Sequence, residues 1–140
     1  MKTAKELLLS YLENINDADK IIDLFADDAT IELPYLGSLE MPWQWHGKDV
    51  IYQFLQSLPH TFADFVFQNI RIHIDTPDQA FGEYDVDATV VATGLAYKQA
   101  YMGRLVAENG KIKLIREALD MVQVAKSMFP DGVPPNRLGL

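Results

Sequence analysis

Residues 97–124, YKQAYMGRLVAENGKIKLIREALDMVQV, read as two long strands, 97–108 and 111–124, folded back on each other at Asn109-Gly110. Asn-Gly is the strongest local hairpin signal, because both turn positions of the favoured two-residue turn need positive φ. The segments on either side are rich in aromatic and β-branched residues, as strands are. Working toward the N-terminus, 80–92 and 65–75 have the same character, and Thr93-Gly94 and Thr76-Pro77-Asp78 separate them from their neighbours. Four long strands joined by tight turns predict an antiparallel meander.

The first third of the chain has a different period. Ala4, Leu7, Leu8, Tyr11, Leu12 and Ile15 recur at steps of three and four, which makes one apolar helix stripe. The segment Asn14 to Asp19 breaks that stripe and supplies capping side chains for a second helix. This helix carries Ile21, Ile22, Leu24 and Phe25 and is expected to stop near Asp27-Asp28. A short strand, Ala29 to Leu33, follows. Residues 34–47, with two Pro, two Gly and two Trp, read as a long loop. A third helix begins at Lys48, presents Ile51, Phe54, Leu55 and Leu58 on one face, and is expected to end at Pro59. Three helices followed by a meander predict an α+β fold, the helices packed on one face of a curved antiparallel sheet. One domain is expected over residues 1–128, with 129–140, rich in Pro and Gly, as a C-terminal coil tail.

Composition narrows the function classes. The chain has 140 residues, no cysteine and a net charge of −8. Without cysteine there is no disulfide framework, thiolate zinc site or cysteine nucleophile. A strongly acidic chain does not suit a nucleic-acid backbone, which is held by clustered Lys and Arg. No apolar run reaches the ~20 residues that span a membrane, and Met1 to Leu9 lacks the order of a signal peptide. A cytoplasmic protein is expected, with neither nucleic acid nor membrane as partner. No Gly-rich phosphate loop or metal-spaced histidine set implies a cofactor or a metal.

Three stretches carry a family resemblance. They are Phe25-Ala26-Asp27-Asp28-Ala29-Thr30-Ile31-Glu32, His46-Gly47-Lys48 and Asn109-Gly110-Lys111-Ile112. With the element order, they make residues 4–124 resemble the nuclear-transport-factor-2-like or ketosteroid-isomerase-like superfamily. Within it, Asn69-Ile70-Arg71-Ile72, Glu108 to Lys113 and Arg116-Glu117 are similar to the phenazine-biosynthesis A/B proteins and the SnoaL-like polyketide cyclases. The resemblance implies a cone-shaped fold around a small, mostly apolar pocket, and a homodimer through the outer sheet face.

Strand alternation puts Ile115, Glu117, Leu119 and Met121 on one face. A carboxylate between Ile115 and Leu119 is costly to ionise, so burial should raise its pKa into the range of a working acid or base. The alternative is a structural carboxylate paired with Arg or Lys, or one in a dimer contact. In the phenazine-biosynthesis proteins the glutamate of the matching Arg-Glu pair is the pocket acid, which makes Glu117 the first candidate. Gln53 and Ser57, four apart on the third helix, share a face. By the same resemblance Ser57 matches a family serine, while Gln53 stands where the family has histidine. His60 either replaces that histidine or is a plain loop residue.

Steroid isomerisation needs an aspartate base with a tyrosine and a protonated aspartate as oxyanion donors. By the superfamily match, Tyr11 falls on the tyrosine, but the base aspartate falls on Leu33 and the second acid near Tyr101. One role of three survives, so that reaction is not favoured. Tyr11 and Tyr101 either form a phenol pair in the pocket or pack in the core with hydroxyls at its rim. Glu83, Asp85 and Asp87 alternate on one face, as a divalent-cation site or as a solvated or interfacial face. Parity with the superfamily turns Tyr84, Val86 and Ala88 inward and these acids outward. Trp43 and Trp45 form either a lid or a plug at the cone's mouth.

Two functions follow from these residues. One is an isomerase, cyclase or condensing enzyme of general acid–base type. It would use Glu117 on a small hydrophobic cyclic carbonyl compound, with Tyr11, Tyr101, Gln99, Ser57 and His60 as polar helpers. Trp43, Trp45, Gln53, Phe54, Leu58, Tyr84 and Leu119 would contact the ligand. The other is a non-catalytic ligand-binding or dimerisation module of the same fold.

Overall fold

The computed structural model describes residues 1–133. The elements are α1 (Ala4–Glu13), α2 (Ala18–Ile21), β1 (Phe25–Glu32), β2 (Gln44–His46), α3 (Lys48–Thr61), β3 (Phe62–Ala63), β4 (Phe67–Asp75), β5 (Gln79–Val90), β6 (Ala96–Glu108), β7 (Lys111–Leu119) and α4 (Met121–Met128). Short 3-10 segments cover Ile22–Leu24 and Pro34–Leu39.

Helix α1 forms where the stripe places it, and all six stripe residues are buried. Its start is fixed by a capping box, in which Thr3 Oγ1 accepts from the Glu6 N–H and Glu6 Oε1 accepts from the Thr3 N–H. The meander is also as expected, with β4, β5, β6 and β7 paired antiparallel in sequence. Asn109 and Gly110 have φ of 53° and 74°, the positive pair that the turn requires. The sheet order is β2-β1-β7-β6-β5-β3, with β4 also paired to β5. Strand β1 joins β7 in parallel, the one parallel pairing in an otherwise antiparallel sheet. The helices cover the concave face of this curved, unclosed sheet, and each fully buried Leu or Ile between the layers stabilises the fold by roughly 1.5–3 kcal/mol.

Several boundaries differ from expectation. Helix α2, capped by Asp17, stops at Ile21, and the chain is already extended at Phe25 because β1 pairs along β7 from there. Lys113 of β7 pairs with Asp28 where the β1–β7 register shifts between Phe25 and Thr30. The loop expected over 34–47 contains a 3-10 turn and β2, which exists through its pairing with β1. Pro59 does not end α3; it lies in the last turn, where its missing N–H removes one hydrogen bond, and the helix runs to Thr61. The last strand ends at Leu119, and Met121 to Met128 form α4. Its N-terminus is capped by Asp120, whose carboxylate accepts from the Val122 and Gln123 N–H groups. Met121 therefore does not share the Glu117 strand face. Among the expected tail residues, 129–133 are irregular and 134–140 lie outside the described part. No described helix is long and apolar enough to cross a membrane.

Candidate active site

The helices and the sheet enclose a cavity of about 300 Å³. That is the small end of the range for ligand pockets, with room for a ligand the size of about ten waters. Its wall is almost wholly apolar. Tyr11 comes from α1, Ile15 from the turn after it, Phe54, Ser57 and Leu58 from α3, Glu117 and Leu119 from β7, and Met128 from α4. One side is a continuous aromatic cluster. Phe62 lies 5.1 Å from Phe65 and 4.6 Å from Tyr97, and Phe67 meets both Phe65 and Tyr101 edge-on. Opposite stands Trp45, stacked on Phe54 at 4.1 Å.

Among the described residues, Glu117 is the one Asp, Glu, Lys, Arg or His in this wall, 4% exposed. Burial in apolar surroundings pushes its pKa up to about 7, and a hydrogen bond from Tyr84 works in the opposite direction. The Tyr84 hydroxyl donates to Glu117 Oε2, and its own pKa is raised by burial and by the carboxyl beside it. Among the described residues, Glu117 pairs with no Lys, Arg or His. Its neighbour Arg116 points to the other sheet face and holds Glu32 at 2.8 Å.

The phenols divide into two sets. Tyr101 and Tyr97 share a hydrogen bond of 2.9 Å, so the partner of Tyr101 is Tyr97 rather than Tyr11. Tyr11 is 2% exposed, lines the cavity and is raised in pKa first by burial and then by Glu117. Its hydroxyl has no hydrogen-bond partner among the described residues. The cavity thus presents the Tyr11 hydroxyl, the one phenol proton that the Tyr97–Tyr101 bond leaves unused, and one carboxyl, a set chemically able to hold a carbonyl oxygen at one point and exchange a proton at another.

The remaining candidates are dispersed. Ser57 lines the cavity, with its hydroxyl turned back to the Phe54 carbonyl at 2.6 Å. Gln53, on the same helix face, is exposed and outside the cavity wall. His60 sits on α3 rather than in a loop and borders a surface groove with Asn16, Tyr52 and Pro59, away from the cavity. Trp43 is also outside the wall and packs over Gly37, so of the two tryptophans only Trp45 reaches the cavity. Glu83 is held by His73 at 2.8 Å and Asp85 by Arg71 and Asn69, which makes their face an ion-paired outer surface.

Gln99 is buried, and its amide is spent mainly on backbone, with one further donation to the Tyr97 hydroxyl at 3.3 Å. It donates to the Asp120 carbonyl at 3.0 Å and accepts the Asp120 N–H at 2.6 Å, which fastens the start of α4 to β6. Gln99→Leu should cost about 1–3 kcal/mol by orphaning both groups. Amide hydrogen exchange over 121–128 should then accelerate well beyond that of α1; unchanged protection would contradict this role.

Tyr97, Phe62, Phe65, Phe67 and Gly103 were not singled out from sequence. Tyr97 alternates with Gln99 and Tyr101, and a glycine inside a strand signals close approach, so two of the five left a local trace.

Comparison with known proteins agrees with this architecture. The model of the SnoaL-like domain matches residues 10–115. The uncharacterized protein YesE of Bacillus subtilis (strain 168) is 26% identical over 120 residues, 83% of this chain and 78% of YesE. A Bacillus subtilis crystal structure provisionally named an isomerase superposes with a TM-score of 0.78 at 22% identity, covering 94% of this chain and 96% of that one. A phenazine biosynthesis-related protein of Pseudomonas aeruginosa gives a TM-score of 0.76 at 22% identity, covering 89% and 83%. At these identities the two structures establish likeness of fold, and the family model, which spans most of the chain, establishes membership: the protein belongs to the SnoaL-like domain family.

Proposed function

We propose that the chain is a cofactor-independent enzyme of the isomerase or cyclase type, acting on a small hydrophobic cyclic carbonyl compound. The observation that carries this reading is the buried carboxyl of Glu117, with a pKa of about 7, in the wall of an apolar cavity. In the proposed step a carboxylate oxygen of Glu117 takes a proton from the carbon next to the carbonyl. The electron pair moves to the carbonyl oxygen, which accepts a hydrogen bond from Tyr11. Return of the proton to a different atom completes an isomerisation; in a cyclisation the enolate carbon instead attacks a second carbonyl carbon of the same molecule, and the proton held by Glu117 passes to that carbonyl's oxygen. The aromatic wall and the Trp45–Phe54 stack favour a flat ring.

The step can be tested without the natural substrate. In D2O, α-tetralone, a bicyclic ketone, should exchange its α-protons faster with the protein than without it. The rate should rise with pH to a plateau above about 7, because the base is the ionised carboxyl. Glu117→Gln should return the rate to background, a loss of roughly 100-fold or more. Equal exchange by Glu117→Gln and wild type would sink the assignment. The same reading expects a homodimer through the outer sheet face, where Met102 stands exposed beside Phe81. A monomer by light scattering at micromolar concentration would count against that part.

A further inference from the structure

We infer that Tyr84, reaching across the gap left by Gly103, is the positioning residue for Glu117: its phenol fixes one carboxyl oxygen and favours the ionised form, leaving the other oxygen to the ligand. The inference rests on the reading of Glu117 as the proton-transfer group, and its geometry is independent of any substrate.

Tyr84 and Glu117 are on strands that do not touch. Strand β6 lies between β5 and β7, with Tyr84 paired to Tyr101 and Gly103 paired to Glu117. To reach the carboxyl, the phenol must cross β6 diagonally, over position 103. Only glycine leaves that path open. A Cβ there would stand 1.8 Å from the Tyr84 hydroxyl oxygen and 2.9 Å from Cζ. The ring is held on this path by Phe67, edge-on at 5.0 Å, and by Tyr101, stacked at 5.7 Å. Tyr84 is fully buried and is not part of the cavity wall, so its hydroxyl serves the carboxyl and not the ligand.

The groups facing Glu117 make this one contact decisive. They are Tyr11 from α1, Tyr84 from β5, and Tyr97 and Tyr101 from β6. All are neutral phenols, and no Lys, Arg or His is among the described residues of the wall. Arg104 and Arg116 border Glu117 only on the other sheet face, where Arg116 holds Glu32, so on the cavity side the Tyr84 hydrogen bond is what opposes desolvation of the carboxylate.

The test is an NMR titration of the Glu117 carboxyl carbon in wild type and in Tyr84→Phe, which keeps the ring and its packing. The midpoint in Tyr84→Phe is expected to lie above that of wild type by about one pH unit, since a hydrogen bond to the charged form is lost. The pH midpoint of α-tetralone exchange should rise with it, which loss of packing alone would not produce. Gly103→Ala, by displacing the same phenol, should move the midpoint the same way. An unchanged or lowered midpoint in Tyr84→Phe overturns the inference, and a wild-type midpoint in Gly103→Ala overturns the route across β6. The wild-type midpoint by itself decides the acid–base reading; the difference between wild type and Tyr84→Phe by itself decides the role of Tyr84.

Discussion

Above pH 7, Glu117→Gln is expected to be more stable than wild type, with the difference shrinking as the pH falls toward 4.5. The folded-state pKa of Glu117 is raised to about 7 from an ordinary value of 4.5, so the folded chain keeps a proton that the unfolded chain has released. A carboxyl with a raised pKa contributes its full stability below the unfolded value. That contribution is lost as the pH climbs through the folded value. At about 1.4 kcal/mol per pH unit, the loss reaches roughly 3 kcal/mol once the folded group is ionised. Gln has the same shape and does not titrate, and its amide oxygen still accepts from Tyr84. Part of the gain is offset by desolvation of the amide, which leaves about 2 kcal/mol at pH 8. Urea unfolding of both proteins from pH 4.5 to 8.5 reads the difference directly, because the other titrating groups are common to both. Parallel stability curves would mean that Glu117 titrates normally. On the proposed mechanism, the substitution expected to end proton transfer is also the one that stabilises the fold, an exchange of stability for function.

Gly103→Ala is expected to destabilise the fold by about 3 kcal/mol. The added methyl meets the Tyr84 hydroxyl at 1.8 Å, and neither side yields cheaply. Tyr84 is boxed by Phe67 and Tyr101, and Gly103 is fixed in the centre of the sheet between β5 and β7. The phenol must leave the carboxyl, which then loses its hydrogen-bond donor. A double-mutant cycle separates this clash from any general cost of alanine at that position. In the Tyr84→Phe background the hydroxyl is gone, and the penalty should be smaller by about 1 kcal/mol or more. The same penalty in both backgrounds would contradict the crossing of β6 by the phenol.

What the sequence showed of this site follows from which forces are local. The α1 stripe and the Asn109-Gly110 turn are set within a few residues, so periodicity and turn chemistry place them. Glu117 was legible for the same reason: alternation along one strand is enough to set a carboxylate among apolar neighbours. Helix α4 was not. Met121-Val122-Gln123-Val124 reads as a continuing strand, and what stops the strand is the Asp120 cap together with the side chain of Gln99, distant in sequence. Strand β2, three residues long, exists only because β1 is there to pair with it. The Tyr84 contact spans 33 residues and a whole intervening strand, and its one local trace is the glycine at 103. Pro59 reads as a helix end, which would put His60 in a loop; α3 instead runs past the proline and carries His60 to the groove on its outer side.

The central claim is that Glu117 is an acid held near neutrality by burial, and the titration of its carboxyl carbon by NMR in the free wild-type protein tests it most directly. A midpoint near 7 is the result expected for the proton-transfer group of the cavity. A midpoint at or below about 4, in the range of an ordinary or ion-paired glutamate, would contradict it.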